Sequence, residues 1–195
     1  MSYFLKAPLL YATCFALSAC APVQPLTTTN LVAAIKVEDS KFDTHQTFVG
    51  RTFTLSNSYG LGMSDDASFF LRSFRDKKTG DVSDQLYVKV ESSVGGWRHF
   101  RSASFEGGMH VVAQRIGSDV HCYRSSCTHT EIVGIDVSTE MMRKAATSGF
   151  SLRLNSQAGL HLILTFPADA VSAQMIATGR AQTPITSTEA KKTSS

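Results

Sequence analysis

Residues 150–166 read FSLRLNSQAGLHLILTF, and their reading decides the fold. Phe150, Leu152 and Leu154 alternate with Ser151, Arg153 and Asn155. Past Ala158-Gly159, Leu160, Leu162, Leu164 and Phe166 alternate with His161, Ile163 and Thr165. An apolar period of two puts one set of side chains on one face of an extended chain, so these are two half-buried strands separated by a turn.

The same period recurs toward the N-terminus. Leu86, Val88 and Val90 alternate with Tyr87, Lys89 and Glu91. Further candidate strands are Leu31–Glu38, Thr47–Leu55, Ser68–Arg75, Trp97–Phe105, His110–Ile116, Asp119–Tyr123 and Thr128–Val137. Asp76–Asp81, Gly95-Gly96, Gly107-Gly108 and Gly117-Ser118 punctuate them as turns. Two segments depart from the pattern. Ser138 is placed to cap a helix over Thr139–Thr147, with Glu140 in its first turn and Gly149 past its end. A second helix over Ala168–Thr178 follows Pro167 and stops at Gly179. The expected fold is mainly β: one domain over residues 31–180, an antiparallel sandwich or barrel-like closure with two short helices. An α+β arrangement is the alternative.

The ends differ from this body. Ala21–Asn30, APVQPLTTTN, has no apolar period and reads as a linker. Residues 181–195, rich in Thr, Ser, Ala and Lys, read as a disordered tail. At the other end Met1–Lys6 carries one charge, Ala7–Leu17 is apolar apart from Pro8 and Thr13, and Leu17-Ser18-Ala19-Cys20 follows. A charged head, a short apolar stretch and small residues at a cleavage site make a secretory signal. A membrane span needs about 20 apolar residues, more than this stretch holds.

The tetrapeptide Leu17-Ser18-Ala19-Cys20 resembles the lipobox of bacterial lipoproteins. The resemblance covers those four residues and the signal before them. It implies removal of residues 1–19, diacylglycerol on the Cys20 thiol and acylation of its new amino group. Lipid on Cys20 would be the only covalent addition, with no other cofactor. Each buried CH₂ contributes about 0.8 kcal/mol, so two or more acyl chains hold where one would leave. Ala21 stands where an Asp resembles the inner-membrane retention signal, which favours the periplasmic face of the outer membrane.

Removing 1–19 takes away Lys6 alone among charged residues and lowers the formal net charge from +3 to +2. That balance makes no electrostatic case for a nucleic-acid partner. With Cys14 in the signal and Cys20 lipidated, Cys122 and Cys127 remain as an even pair in an oxidising compartment.

They lie in His121-Cys122-Tyr123-Arg124-Ser125-Ser126-Cys127-Thr128-His129. A metal site of two cysteines and two histidines is one reading. A disulfide closing a four-residue hairpin loop is the expected one, and free thiols are a third. If Cys122 faces Cys127, then His121 faces Thr128 and Val120 faces His129. His129 then shares the cysteines' face while His121 points away, so four ligands cannot meet on one ion. A different register would reopen the metal reading. The stapled tip carries Tyr123 and Arg124, residue types enriched at binding hot spots, and these are the candidate partner contacts.

Other clusters carry weaker signals. Six histidines are spread along the chain without a nucleophile elbow, a His-Glu-x-x-His or a phosphate loop. Gly60-Leu61-Gly62 with Asp65-Asp66 reads as a polar turn rather than a cation site. Trp97, Phe100 and Phe105 read as core or edge packing rather than a stacking platform. Arg72, Arg75, Lys77 and Lys78 read as a solvated hairpin rather than a headgroup or glycan site. The leading expectation is a membrane-anchored envelope lipoprotein, a non-catalytic binding or assembly module with an envelope protein as partner. An envelope enzyme or enzyme inhibitor acting on peptidoglycan, glycan or protein is the alternative, and small-ligand carriage, which would require an apolar cavity inside the β-domain, is a third.

Overall fold

A computed structural model describes residues 26–182, apart from 61, 62, 94 and 158. The signal, Cys20, most of the expected linker and residues 183–195 lie outside the described residues, as do two residues of the Gly60–Gly62 turn.

The chain folds into two antiparallel sheets that face each other as a sandwich, with three helices at one end. The larger sheet takes β1 (Lys36–Glu38), β2 (His45–Val49), β3 (Phe53–Gly60), β4 (Met63–Asp76), β5 (Val82–Ser92), β8 (Gln114–Tyr123) and β9 (Ser126–Val137). Its order is β1-β2-β4-β5-β9-β8, with β3 pairing the first half of β4 and β2 the second. The smaller sheet runs β11 (His161–Phe166), β10 (Phe150–Ser156), β6 (Phe100–Phe105), β7 (His110–Val112). The barrel-like alternative is excluded, because both sheets end in open edges.

The core lies between the sheets, and the period-two sets supply it. Leu86, Val88 and Val90 of β5 and Val133 and Ile135 of β9 face Leu152 and Leu154 of β10 and Leu162, Leu164 and Phe166 of β11, all buried. Phe166 meets Phe69 and Phe53 edge-on at 5.1 and 5.4 Å and stacks on Phe150 at 5.1 Å. Such offset aromatic pairs add about 0.5–1.5 kcal/mol each beyond the area they bury.

Helix α2 (Thr139–Ser148) begins at Ser138, whose hydroxyl accepts from the Met141 amide, and stops at Gly149, where φ is 71°. A side chain there would lie 2.4 Å from the Phe166 carbonyl oxygen, so glycine is required on two counts. Helix α3 (Ala168–Ala177) covers the far half of β4 through polar bonds. Gln174 Nε2 donates to the Phe48 carbonyl at 3.0 Å and to Ser73 Oγ at 2.9 Å. Ser73 donates to Asp84, and Arg180 pairs with both oxygens of Asp84 at 2.6 and 2.7 Å.

The structure departs from the sequence reading in several places. A third helix, α1 (Thr28–Ala33), occupies the end of the expected linker and the start of the expected strand 31–38. Thr27 caps the Asn30 amide, Leu31 is buried, and Thr28 Oγ1 donates to Asp169 of α3. Tertiary packing of one leucine outweighs the poor helix propensity of Thr and Asn. The expected strand 47–55 is two strands, broken at Gly50, whose amide bonds the Leu71 carbonyl at 2.9 Å. Gly117-Ser118 is no turn: the ladder runs through it with a bulge between Arg115 and Gly117. No described helix is long and apolar enough to cross a membrane.

Candidate functional site

The β8–β9 hairpin carries the cysteines. Cys122 pairs with Cys127 in the ladder and the two sulfurs are bonded. Tyr123 pairs with Ser126, so the loop is a two-residue turn, shorter than the four residues expected. Arg124, first of the two turn residues, has φ 54°. Positive φ at the first turn position matches a type II′ turn, which suits the twist of a hairpin but ordinarily takes glycine there. A non-glycine residue held in this region is strained, and the crosslink one pair away holds the turn closed around it. His121 faces Thr128 and Val120 faces His129, as the expected register requires. His129 turns to the cysteines' face and His121 to the other. No group of three or more metal-ligating side chains occurs among the described residues. Tyr123 is 67% exposed, and the Arg124 guanidinium lies over its ring, 5.2 Å from the centroid. The two candidate contact residues are therefore presented together at the tip.

At the base of the hairpin the segment Gly95–His99 closes over the strand ends. Its fastening is ionic. Arg98 pairs with Asp65 of β4, Nη2 to Oδ1 at 3.0 Å and Nε to both oxygens at 3.2 and 3.3 Å, with side chains 10% and 1% exposed. Glu131 of β9 accepts the Arg98 amide at 2.7 Å and the His99 amide at 2.9 Å. Two buried acids thus hold two successive residues, Arg98 and His99, and His99 is kept at φ 55°. Gly95 lies against the Arg98 guanidinium, where a side chain would come within 2.8 Å. Trp97 packs edge-on against His129 at 4.9 Å, and His129 Nδ1 is buried without a hydrogen-bond partner.

Beside this segment a cleft of about 240 Å³ opens between the sheets. Trp97, Phe100, Val133 and Glu131 line it, with His99, Arg101 of β6 and Arg115 of β8. The chain crosses from one sheet to the other here, at Ala113, whose amide bonds the Arg101 carbonyl at 2.9 Å. That crossing and the bulge next to Arg115 bring the two arginines to one opening.

The remaining sequence candidates disperse. Asp65 and Asp66 lie within β4 rather than in a loop, Asp65 bound to Arg98 and Asp66 to Ser56. Phe100 and Phe105 are buried core residues, and Trp97 and Phe100 of that trio line the cleft. Arg72 stacks over Phe74 and Tyr87, Arg75 donates to the Thr178 carbonyl, and Lys77 pairs with Asp39, so the basic set forms no common patch. Ser104 Oγ lies 3.0 Å from His110 Nδ1 and accepts from Asn155 at 3.1 Å. A serine and an imidazole in contact invite a nucleophile and base reading, but no carboxylate pairs with His110 among the described residues to orient it. Arg98, Glu131, Arg101 and Arg115 were not signalled by any motif, and Asp65 was read only as part of a polar turn. The one local cue was Gly95-Gly96 directly before Trp97-Arg98-His99.

Searches against protein-family models, curated proteins and solved structures match nothing to this chain.

Proposed function

We propose that the protein is an exported lipoprotein, held by lipid on Cys20 at the periplasmic face of the outer membrane. Its sandwich serves as a non-catalytic binding or assembly module. Tyr123 and Arg124 on the hairpin tip are its contacts to an envelope protein partner. The observation that carries this reading is the placing of the tip relative to the N-terminal end. Helix α1 packs on α3, and α3 is bonded to β4 at the level of Ser73. Ser73 is level with Asp84 and Val137 across the sheet. From Val137, β9 runs back to Ser126 at the tip. At about 3.3 Å per residue that is about 35 Å of strand. Lipid on Cys20, which precedes α1 in the sequence, would tether the chain from its helical end, and the hairpin extends the other way. The enzyme reading called for two or more histidines and a carboxylate in one pocket. The cleft holds His99 alone, and the oxygens of its Glu131 already bind two amides.

Metabolic labelling with an alkyne fatty acid tests the anchor: the chain takes up label and Cys20→Ser does not. A Cys20→Ser chain that is processed normally and stays membrane-bound overturns it. A photocrosslinking amino acid at Tyr123 tests the contact in intact envelopes. One discrete adduct, lost in Arg124→Ala and absent when the crosslinker stands at Lys144 of α2, supports it. Equal adducts from both positions overturn it.

A further inference from the structure

We infer that the cleft between β6 and β8 binds a small organic anion, one carrying a carboxylate or phosphate on an apolar body. This site is separate from the hairpin tip and does not depend on the anchor. Three observations converge on it. First, Arg101 and Arg115 come from different sheets and line the same cleft. Among the described residues neither forms an ion pair, and the bond from Arg115 goes to the Ser118 hydroxyl. Two arginines lining one opening raise its positive charge, and a bound anion there gains charge-assisted hydrogen bonds.

Second, the walls are apolar and aromatic. Trp97, Phe100 and Val133 bound a space of about 240 Å³. That is smaller than the roughly 300–1,000 Å³ of drug-sized pockets, and it fits a ring or short branched chain with its charged group at the arginine rim. Convergent polar groups over an apolar cavity are the usual form of a small-molecule site.

Third, the wall is fastened by bonds within the protein. Arg98 is locked on Asp65, and the amides of Arg98 and His99 are locked on Glu131. His99 is thereby held at positive φ. Backbone strain maintained by buried charges gathers at binding sites, where it keeps a surface in its bound form. Glu131 stands in the cleft as well, but its carboxylate faces those amides, which leaves the arginines to set the charge at the opening.

Trp97 is the chain's only tryptophan, so its fluorescence reports on the cleft without labelling. The full chain in detergent is titrated with cyclohexanecarboxylate, cyclohexyl phosphate and neutral cyclohexylmethanol, none of which absorbs where tryptophan is excited. We expect saturable changes for at least one anion, with Kd in the range of about 0.1–1 mM. Cyclohexylmethanol should bind at least about tenfold more weakly, the difference one charge-assisted contact makes. Arg101→Ala and Arg115→Ala should each weaken binding about tenfold, and Arg→Lys at either position should restore part of it. Unchanged near-ultraviolet circular dichroism shows that the variants are folded. Binding by both anions, or by one alone, supports the site and identifies its headgroup. No saturation by either, equal binding of the neutral alcohol, or folded arginine variants with unaltered affinity overturns it.

Discussion

Arg98 and Asp65 form the pair on which the Gly95–His99 segment depends. Removing one member of a buried pair leaves the other charged and unsolvated, which costs about 3–5 kcal/mol, whereas replacing both with apolar residues of similar volume is often neutral. Arg98→Ala should therefore lower stability by about 3–5 kcal/mol in denaturant melts, and Arg98→Met with Asp65→Leu should recover most of it. Recovery of stability without recovery of Trp97's native fluorescence would show that the pair positions the segment rather than merely stabilising the domain. Asp76 offers a titration prediction. It accepts from the Thr79 amide at 2.9 Å and the Lys78 amide at 2.8 Å, and these bonds, Thr79 first, hold its carboxyl below the ordinary range. A folded pKa below the unfolded one contributes stability above the unfolded value and loses it as pH falls through the folded value. The β4–β5 turn should thus stay intact down to about pH 4 and loosen below it, while Asp76→Asn loosens it at neutral pH. Carboxyl carbon shifts in a pH titration check the direction: a midpoint at or above about 3.9 contradicts it.

Elements were legible where one face is buried. Strands β5, β10 and β11 carry strict alternation because a one-residue slip would turn Leu86, Leu152 or Leu164 into water. Helix α2 announced itself through Ser138 and Gly149, whose roles are local. Helix α1 did not, because TTNLVA holds its place through Leu31 and through a bond to Asp169, 141 residues away. The hairpin register was legible because the cysteines marked it, yet its two-residue turn was not, since Arg124 has no local preference for positive φ. The cleft was hidden for a stronger reason. Asp65, Arg98 and Glu131 are 33 residues apart in each step, and only the β4-β5-β9 ladder, which sets Asp65 two positions from the level of Glu131, lets Arg98 reach both. The hairpin also sets an expectation about its crosslink. Closing a loop of about six residues contributes about 2 kcal/mol in the chain-entropy model. The tip extends past Ser92, the last residue of β5 paired with β9, so that contribution is mostly local. Cys122→Ser with Cys127→Ser should lower the melting temperature only slightly while amide exchange rises sharply from Val120 to His129. A uniform rise across β5 and β10 would instead make the disulfide part of the global fold.

The whole molecule is a two-ended object. Three helices gather at one end, where α3 is bonded to β4 by Gln174 and to Asp84 by Arg180, and the stapled hairpin extends from the other. The polar fastening matters for what such a shape can do. A tip at the end of about 35 Å of continuous strand is oriented only as well as the domain is oriented on its anchor. The segment from Cys20 to Thr27 spans at most about 3.3–3.6 Å per residue, which is shorter than the distance from the helical end to the tip. On a lipid-anchored chain, the helical end therefore stays near the bilayer, and a domain standing on that end holds the tip away from it. Energy transfer to a headgroup-labelled acceptor lipid measures this. A fluorophore at exposed Thr29 of α1 should transfer strongly, and one at Tyr123 several-fold more weakly, because transfer falls steeply over tens of ångströms. Equal transfer from both positions would mean that the domain lies along the membrane. The tip would then face lipid rather than a protein partner, and the assignment of Tyr123 and Arg124 as partner contacts would be withdrawn, while the anion cleft, which does not depend on the anchor, would stand untouched.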